Sequence, residues 1–185
     1  MSTIVVKIGG SLLTHPELPR QLSHWLEGHE RAALVVGGGE MIDAVRRWDA
    51  IHQLDPVRTH WRCVRMLRHT AELVADWLPA ATLIETPHQF EAYRLEQPAG
   101  IYVVPPDTFY HLGSGDRLPC DWTTTSDSIA GLLARKLWAS RMVLWKSCPL
   151  PEGLDLAAAT ARGIVDPVLA DLIDGTIRTE WVRLE

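Results

Sequence analysis

The sequence predicts an α/β fold, and three observations predict it. Short apolar runs rich in β-branched residues recur along the chain, with amphipathic helical stretches between them. Two of those runs, Ile4 to Ile8 and Ala32 to Val36, lead straight into glycines, as strands do where the chain turns into its next element. The 185 residues, 46% hydrophobic and 22% charged with no compositional break, suffice for one full core. A single domain over residues 1–185 is the expected organisation.

The first run, Ile4-Val5-Val6-Lys7-Ile8-Gly9-Gly10-Ser11, delivers a lysine into a glycine turn. Glycines free backbone amides from side-chain obstruction, so a cation and bare N–H groups meet at a corner suited to phosphate. A plain turn would use the same glycines only for φ > 0, and this motif alone leaves both readings open. Residues 16–28 follow, with Leu18, Leu22, Trp25 and Leu26 on one helical face and a glycine at the end. The second run repeats the pattern, entering Gly37-Gly38-Gly39 before a helix that begins near Glu40. Three consecutive glycines cost chain entropy, which points to close approach of a ligand to backbone.

From Met41 to Leu78 the pattern is helical, broken near Asp55-Pro56. Met41, Ala44, Val45 and Trp48 form the expected apolar stripe of the first part. Trp61, Val64, Leu67, Leu73 and Val74 form that of the second. Arg58, Arg62, Arg65 and Arg68 share another side, which reads as a solvated face in preference to an anion site. Thr82 to Ile84 and Ile101 to Val104 predict core strands joined by a crossover helix over residues 88–96. Residues 105–121, rich in proline and glycine, predict a long loop of the kind that covers sites.

That loop closes into Trp122-Thr123-Thr124-Thr125-Ser126-Asp127-Ser128, and Ile129, Leu132, Leu133 and Leu137 define the helix after it. Thr125 or Ser126 can cap this helix, and Asp127 falls in its first turn, where the dipole favours a carboxylate. Capping alone does not account for five hydroxyl residues, Asp127 and Trp122 gathered at one entrance. Arg141 to Lys146 is a further strand. The chain has three lysines against fifteen arginines, and two of the three, Lys7 and Lys146, sit at strand carboxyl ends. A lysine ammonium can follow a moving phosphoryl group, whereas arginine's rigid fork fixes one geometry. Residues 148–153 make a proline-punctuated turn, residues 154–162 and 168–173 two helical runs, and Asp174-Gly175 a turn into a last strand over residues 177–184.

A net charge of -5 and a pI near 5.9 provide no basic field for nucleic acid or an anionic membrane. Cys63, Cys120 and Cys148 are far apart and odd in number, so neither a disulfide framework nor a zinc site is signalled, and a cytoplasmic location is expected. No apolar run nears the ~20 residues needed to cross a bilayer. The eight histidines lack the i, i+4 pairing of a metal site, and no protein-borne metal is expected.

In an alternating βα chain, ligands bind beyond the carboxyl ends of the strands, where Lys7, both glycine stretches and Lys146 are predicted to lie. Motif by motif the chain resembles the amino acid kinase family, which includes acetylglutamate, aspartate and uridylate kinases. Lys7-Ile8-Gly9-Gly10-Ser11 is similar to its first phosphate loop, Val36-Gly37-Gly38-Gly39 to its second glycine loop, and Asp127 to the acid opening its later helix. Leu118-Pro119 through Trp122, Thr125-Ser126-Asp127-Ser128-Ile129 and Gly163-Ile164-Val165-Asp166 look most like the small kinases acting on aminomethylfuran phosphate. The resemblance implies a three-layer αβα sandwich with a mainly parallel central sheet. It implies ATP and Mg2+ as cofactors and phosphoryl transfer to a carboxylate or phosphate acceptor. Lys7, Asp127 and Lys146 would be catalytic. Gly9, Gly10, Ser11, Lys146 and Ser147 would hold phosphates and nucleotide, and Gly37, Gly38, Gly39, Trp122, Thr125 and Ser126 the acceptor. Expected partners are small molecules and further copies of the chain, as a dimer or higher oligomer.

The chain departs from the family after Lys146, where Ser147-Cys148-Pro149 replaces an Asp-Gly turn and only 38 residues follow Ser147, shortening the nucleotide-binding part. That departure favours a rival reading, a non-catalytic nucleotide- or anion-binding or storage protein on the same fold. A Rossmann-type dehydrogenase is set aside because Gly9-Gly10-Ser11 lacks the G-x-G-x-x-G spacing.

Overall fold

The computed structural model describes residues 3–151, 153–173 and 175–184. Its centre is a six-stranded sheet in the order β3-β4-β2-β1-β5-β6, with every neighbouring pair parallel. The strands are β1 (Ile4–Ile8), β2 (Arg31–Val36), β3 (Ala81–Leu83), β4 (Gly100–Val103), β5 (Arg141–Lys146) and β6 (Arg178–Arg183). The helices are α1 (Leu18–Leu26), α2 (Gly39–His52), α3 (Pro56–Trp77), α4 (Pro87–Glu96), α5 (Ser126–Lys136), α6 (Leu156–Ala161) and α7 (Pro167–Leu172). This is the α/β fold expected from the strand–helix alternation, with the mainly parallel central sheet that the resemblance implied.

The continuous apolar runs become strands buried on both faces, as parallel sheets with crossover helices require. Alternate residues of each strand then feed two separate cores. Val5, Ala33, Val35, Met142 and Leu144 pack with α4, α5 and the first half of α3, whereas Val6, Ile8, Leu34, Val36, Val143 and Trp145 pack with α1. Leu18, Leu22 and Leu26 of α1 are all buried, each contributing about 1.5–3 kcal/mol by removal from water, so packing rather than helix propensity holds α1 in place. The same alternation sets the direction of the charged residues. Lys7 shares the face of Val5, and Lys146 that of Met142 and Leu144, so both point toward the α5 side.

Helix boundaries follow local chemistry. Asp55 caps α3 by accepting the Arg58 amide at 2.7 Å, with Pro56 at the first helical position, which accounts for the predicted break. Thr86 and Gln89 close a capping box on α4. Strand β3 starts one residue before the predicted Thr82, and Ile84 is buried just past its end. The 105–121 loop contains one 3-10 turn, Pro106–Thr108, and anchors itself by burying Phe109 and Tyr110. Glu152 and Asp174, within two predicted turns, lie outside the described residues.

The predicted α2 stripe is corrected. Of Met41, Ala44, Val45 and Trp48, only Val45 is buried, while Met41 is 36% and Trp48 55% exposed. The helix starts at Gly39, whose backbone is wedged against Gly10, and this fixes a rotation that turns Ile42, Val45 and Asp49 inward instead. On α3, Leu73 likewise faces solvent at 41% exposure while Val74 is buried. Arg58, Arg62 and Arg65 are exposed, and Arg68 forms a bidentate pair with Asp107, both contacts at 2.8 Å, tying α3 to the long loop.

Candidate functional site

At the carboxyl ends of β1 and β5, Lys7 and Lys146 flank one carboxylate. Lys7 Nζ lies 2.8 Å from Asp127 Oδ1, and Lys146 Nζ donates to Asp127 Oδ2 at 2.7 Å. All three residues are buried. The two cations are held differently. Lys146 also donates to the Ile164 carbonyl at 2.7 Å, whereas among the described residues Asp127 is the one partner of the Lys7 ammonium. Lys7 is thus the less tethered of the two.

Burial alone would raise the Asp127 pKa, but the Lys7 and Lys146 charges outweigh it and hold the carboxyl below its ordinary range. Burial and then the Lys7 charge lower the Lys146 pKa, with Asp127 opposing. Two ammonium groups share one carboxylate, so the set retains a positive charge for an incoming anion. Local chemistry places Asp127 there. Thr125 caps α5 by accepting the Asp127 amide at 3.2 Å, which fixes the carboxylate in the first turn.

The two glycine stretches interlock above this set. Gly9 donates its amide to Trp145 O at 3.0 Å and Gly37 to Ile8 O at 2.9 Å, extending the strand ladder. Those two amides are therefore committed, a correction to the expectation that Gly9 presents a free N–H. Among the described residues no backbone partner takes the amides of Gly10, Ser11, Gly38 or Gly39. A Cβ on Gly10 would fall onto the Gly39 amide nitrogen, and one on Gly39, at φ 51°, would lie 2.5 Å from Gly10 O. A Cβ on Gly37 would lie 2.7 Å from Gly10 N and 3.0 Å from Ser126 Oγ. Glycine is required at all three positions by close backbone approach, and at Gly39 by its positive φ as well.

Beside the loops opens a cavity of about 280 Å³ lined by Gly10, Ser11, Gly38, Gly39 and the start of α5. Its walls are apolar at Ile42, Val64, Leu67 and Ile129, and polar at Arg46, Asp49, His60 and Trp122. Trp122 is in the wall, with its indole N–H donated to Asp49 Oδ2 at 2.6 Å and the Arg46 guanidinium 4.3 Å from its ring centre. Ser126 also lines the cavity. Thr125 does too, but its hydroxyl is donated to Asp166 Oδ2 at 2.5 Å. Ser147 is exposed, and its hydroxyl pairs with that of Ser11 at 2.7 Å.

Four residues of this region were missed by the sequence reading as site residues. Asp49 and Arg46 lie on the α2 face that the expected stripe had turned away. Asp166 stood in the Gly163-Ile164-Val165-Asp166 stretch that carried the resemblance, but no site role was expected of it. His60 carried no signal, because its partner Tyr110, bonded to Nε2 at 2.8 Å, is fifty positions away.

His60 supports the loop over the cavity. Burial lowers its pKa below the usual 6.5, with the Asp121 backbone and charge partly opposing. A histidine with a depressed folded-state pKa contributes stability that is complete above the unfolded value and is lost as pH falls. Acidification below about 6.5 is therefore expected to loosen the 105–121 loop and lower the protection factor of the Tyr110 amide, its exchange rate being taken relative to the intrinsic rate at each pH. His60→Gln should remove this pH dependence. Equal protection factors at pH 5 and pH 7.5 in the wild type would contradict it.

No protein-family model matches the chain, and no curated protein matches it by sequence. Solved structures do match. Uridylate kinase from Archaeoglobus fulgidus superposes with a TM-score of 0.68 at 18% identity, over 98% of this chain and 91% of that one. UMP kinase from Ureaplasma parvum gives 0.67 at 13% identity, over 99% and 90%. UMP kinase from Bacillus anthracis gives 0.66 at 12% identity, over 98% and 87%. At these identities the likeness is one of fold.

Proposed function

We propose that this chain is an ATP-dependent small-molecule kinase of the amino acid kinase type, transferring the γ-phosphoryl group of Mg-ATP to an anionic acceptor. One observation carries the reading: a buried carboxylate, Asp127, between two lysines at adjacent strand ends, beneath glycine loops with free amides. Phosphoryl transfer asks a protein for positioning and charge neutralisation more than covalent chemistry. Lys7, the less tethered cation, would follow the migrating group, and the amides of Gly10 and Ser11 would hold its oxygens. Lys146 would neutralise the donor side.

Asp127 is unsuited to be a base, since its pKa is depressed and both oxygens face lysines. The acceptor must then arrive as an anion, a carboxylate or phosphate whose oxygen attacks the γ-phosphorus as the bond to the β-phosphate oxygen breaks and ADP leaves. Among the described residues no cluster of three His, Cys, Asp or Glu could hold a metal ion, so Mg2+ would enter on the nucleotide phosphates. The finer reading is an aminomethylfuran phosphate-type acceptor in the synthesis of a one-carbon carrier cofactor. Apolar cavity walls suit a ring, and the carboxylates of Asp43, Asp49 and Asp121 on its lining suit an amine. The structural neighbours are kinases of UMP, which makes UMP the comparison acceptor.

The assembly is proposed as homo-oligomeric, a dimer or higher, acting in the cytoplasm without nucleic acid or membrane. Its support is the apolar outer face of α2, where Ile51 is 72% exposed. Among the described residues no helix is long and apolar enough to cross a membrane.

The test is ADP release from Mg-ATP with a panel of aminomethylfuran phosphate, UMP, acetylglutamate and aspartate. Turnover with one of these is expected, and Lys7→Ala should lower kcat by about 10²–10³-fold, the scale of losing one preorganised charge-stabilising group. Folded protein that neither binds Mg-ATP at millimolar concentration nor turns over any acceptor would sink the proposal. The rival, a non-catalytic binding or storage protein, is favoured by Ser147 and its contact with Ser11 where the family has an Asp-Gly turn. It predicts binding without turnover.

A further inference from the structure

The Asp166 carboxylate receives more donors than capping one helix requires. Oδ2 accepts the Thr125 amide at 3.1 Å, the Thr125 hydroxyl at 2.5 Å and the Ser128 amide at 3.1 Å. Oδ1 accepts the Ser128 hydroxyl in a short contact and the Leu169 amide at 3.0 Å. The Leu169 contact is the ordinary N-cap of α7. The other four bring the first turn of α5, about forty residues earlier in the chain, onto the same carboxylate. Asp166 is 8% exposed, and no ion pair reaches it among the described residues, so its charge is balanced by hydrogen bonds and by the positive ends of two helices.

Thr125 and Ser128 bracket Asp127. Two residues before Asp166, the Ile164 carbonyl takes the Lys146 ammonium at 2.7 Å. One short segment therefore grips the charged set twice, at Lys146 directly and at Asp127 through the helix that bears it. On the phosphoryl-transfer reading, we infer that Asp166 is a positioning residue for that reaction, holding Asp127 where both lysines reach it. Two of the hydroxyl groups at the α5 entrance, those of Thr125 and Ser128, thereby serve the scaffold, leaving Ser126 as the hydroxyl of that first turn free to meet a ligand. The amides of Thr125 and Ser128 are likewise occupied by an internal anion, so bound phosphate must be held by the glycine loops and lysines instead.

With only three lysines in the chain, the inference can be read from their ammonium groups by NMR of the full-length protein labelled with 15N-lysine, with no nucleotide or acceptor present. Buried, hydrogen-bonded Lys146 should exchange its protons slowly in the wild type. Asp166→Asn is expected to speed that exchange at least tenfold in protein that still melts cooperatively, as local opening of the α5 entrance would. Asp155→Ala removes the N-cap of α6 in the same C-terminal region without touching α5, and should leave Lys146 unchanged. Ser128→Ala, which removes one contact and keeps the carboxylate, should give a smaller acceleration, and serves if Asp166→Asn does not fold. Wild-type exchange in folded Asp166→Asn, no acceleration in Ser128→Ala, or equal acceleration in Asp155→Ala would each overturn the inference. Absence of turnover in the wild type would sink only the kinase reading, because this measurement involves no transfer.

Discussion

Asp127→Asn is expected to destabilise the protein by about 3–5 kcal/mol, the cost of leaving a buried charge without its partner. The carboxylate lies between two buried ammonium groups, and its removal leaves Lys7 and Lys146 facing each other across an amide. The Asn oxygen could satisfy one lysine, but its NH2 group would meet the other as donor against donor. Urea denaturation at pH 7 should show a lower midpoint with an unchanged slope. Adding Lys7→Met should recover part of the loss, because the repulsion goes with the second cation, and the double-mutant cycle gives the coupling. A loss under about 1 kcal/mol in Asp127→Asn would mean the three charges are solvated in solution and not a buried unit. The same group sets acid behaviour. Its depressed pKa gives stability that is complete above the ordinary carboxylate value of 3.8 and is lost as pH falls through the lower folded-state value.

Gly10→Ala should be the most damaging single-methyl addition in the chain. The new Cβ would overlap the Gly39 amide nitrogen and approach Gly39 Cα to 2.7 Å and the Gly37 carbonyl carbon to 2.9 Å, all backbone atoms that cannot rotate away. Overpacking typically costs about 1–3 kcal/mol where side chains can shift, so a loss at or above the top of that range is expected here. The loops must separate to admit the methyl, and on the proposed kinase reading Mg-ATP affinity should fall at least tenfold through displaced amides. Gly28→Ala is the matched control, since its Cβ would meet only Trp25 O at 3.7 Å, an ordinary contact. Calorimetric melting of the two variants with nucleotide titration of each checks the pair. Equal stability of both would show that the loops do not interlock in solution.

What was legible in the sequence is what one-dimensional pattern encodes. The runs at Ile4 to Ile8, Ala32 to Val36 and Arg141 to Lys146 became strands because β-branched residues buried on both faces have few other solutions. The placing of Lys7, Lys146 and Asp127 near one another followed from strand ends and a helix cap. The rotation of α2 was not legible, because it is set by Gly39 against Gly10 across 29 positions, whereas periodicity reports only which residues share a face. Met41, Ala44 and Trp48 do share a face, and it is the outer one. The bonds from His60 to Tyr110, from Trp122 to Asp49 and from Asp166 to Ser128 join distant single residues, and none belongs to a repeating pattern. The polar cluster at residues 122–128 was visible as a cluster, but its division between scaffold and cavity depended on Asp166.

The meshing of Gly10 with Gly37 and Gly39 also limits how this chain can change over generations. Elsewhere in the core an enlarged side chain can be offset by trimming its neighbour, so drift proceeds in compensated steps. Here each neighbour is already the smallest residue, and nothing remains to trim. Positions 10 and 39 can therefore neither vary alone nor exchange bulk between them. Variation near this corner is channelled into residues such as Ser11 and Ser147, which are exposed and whose hydroxyls meet each other.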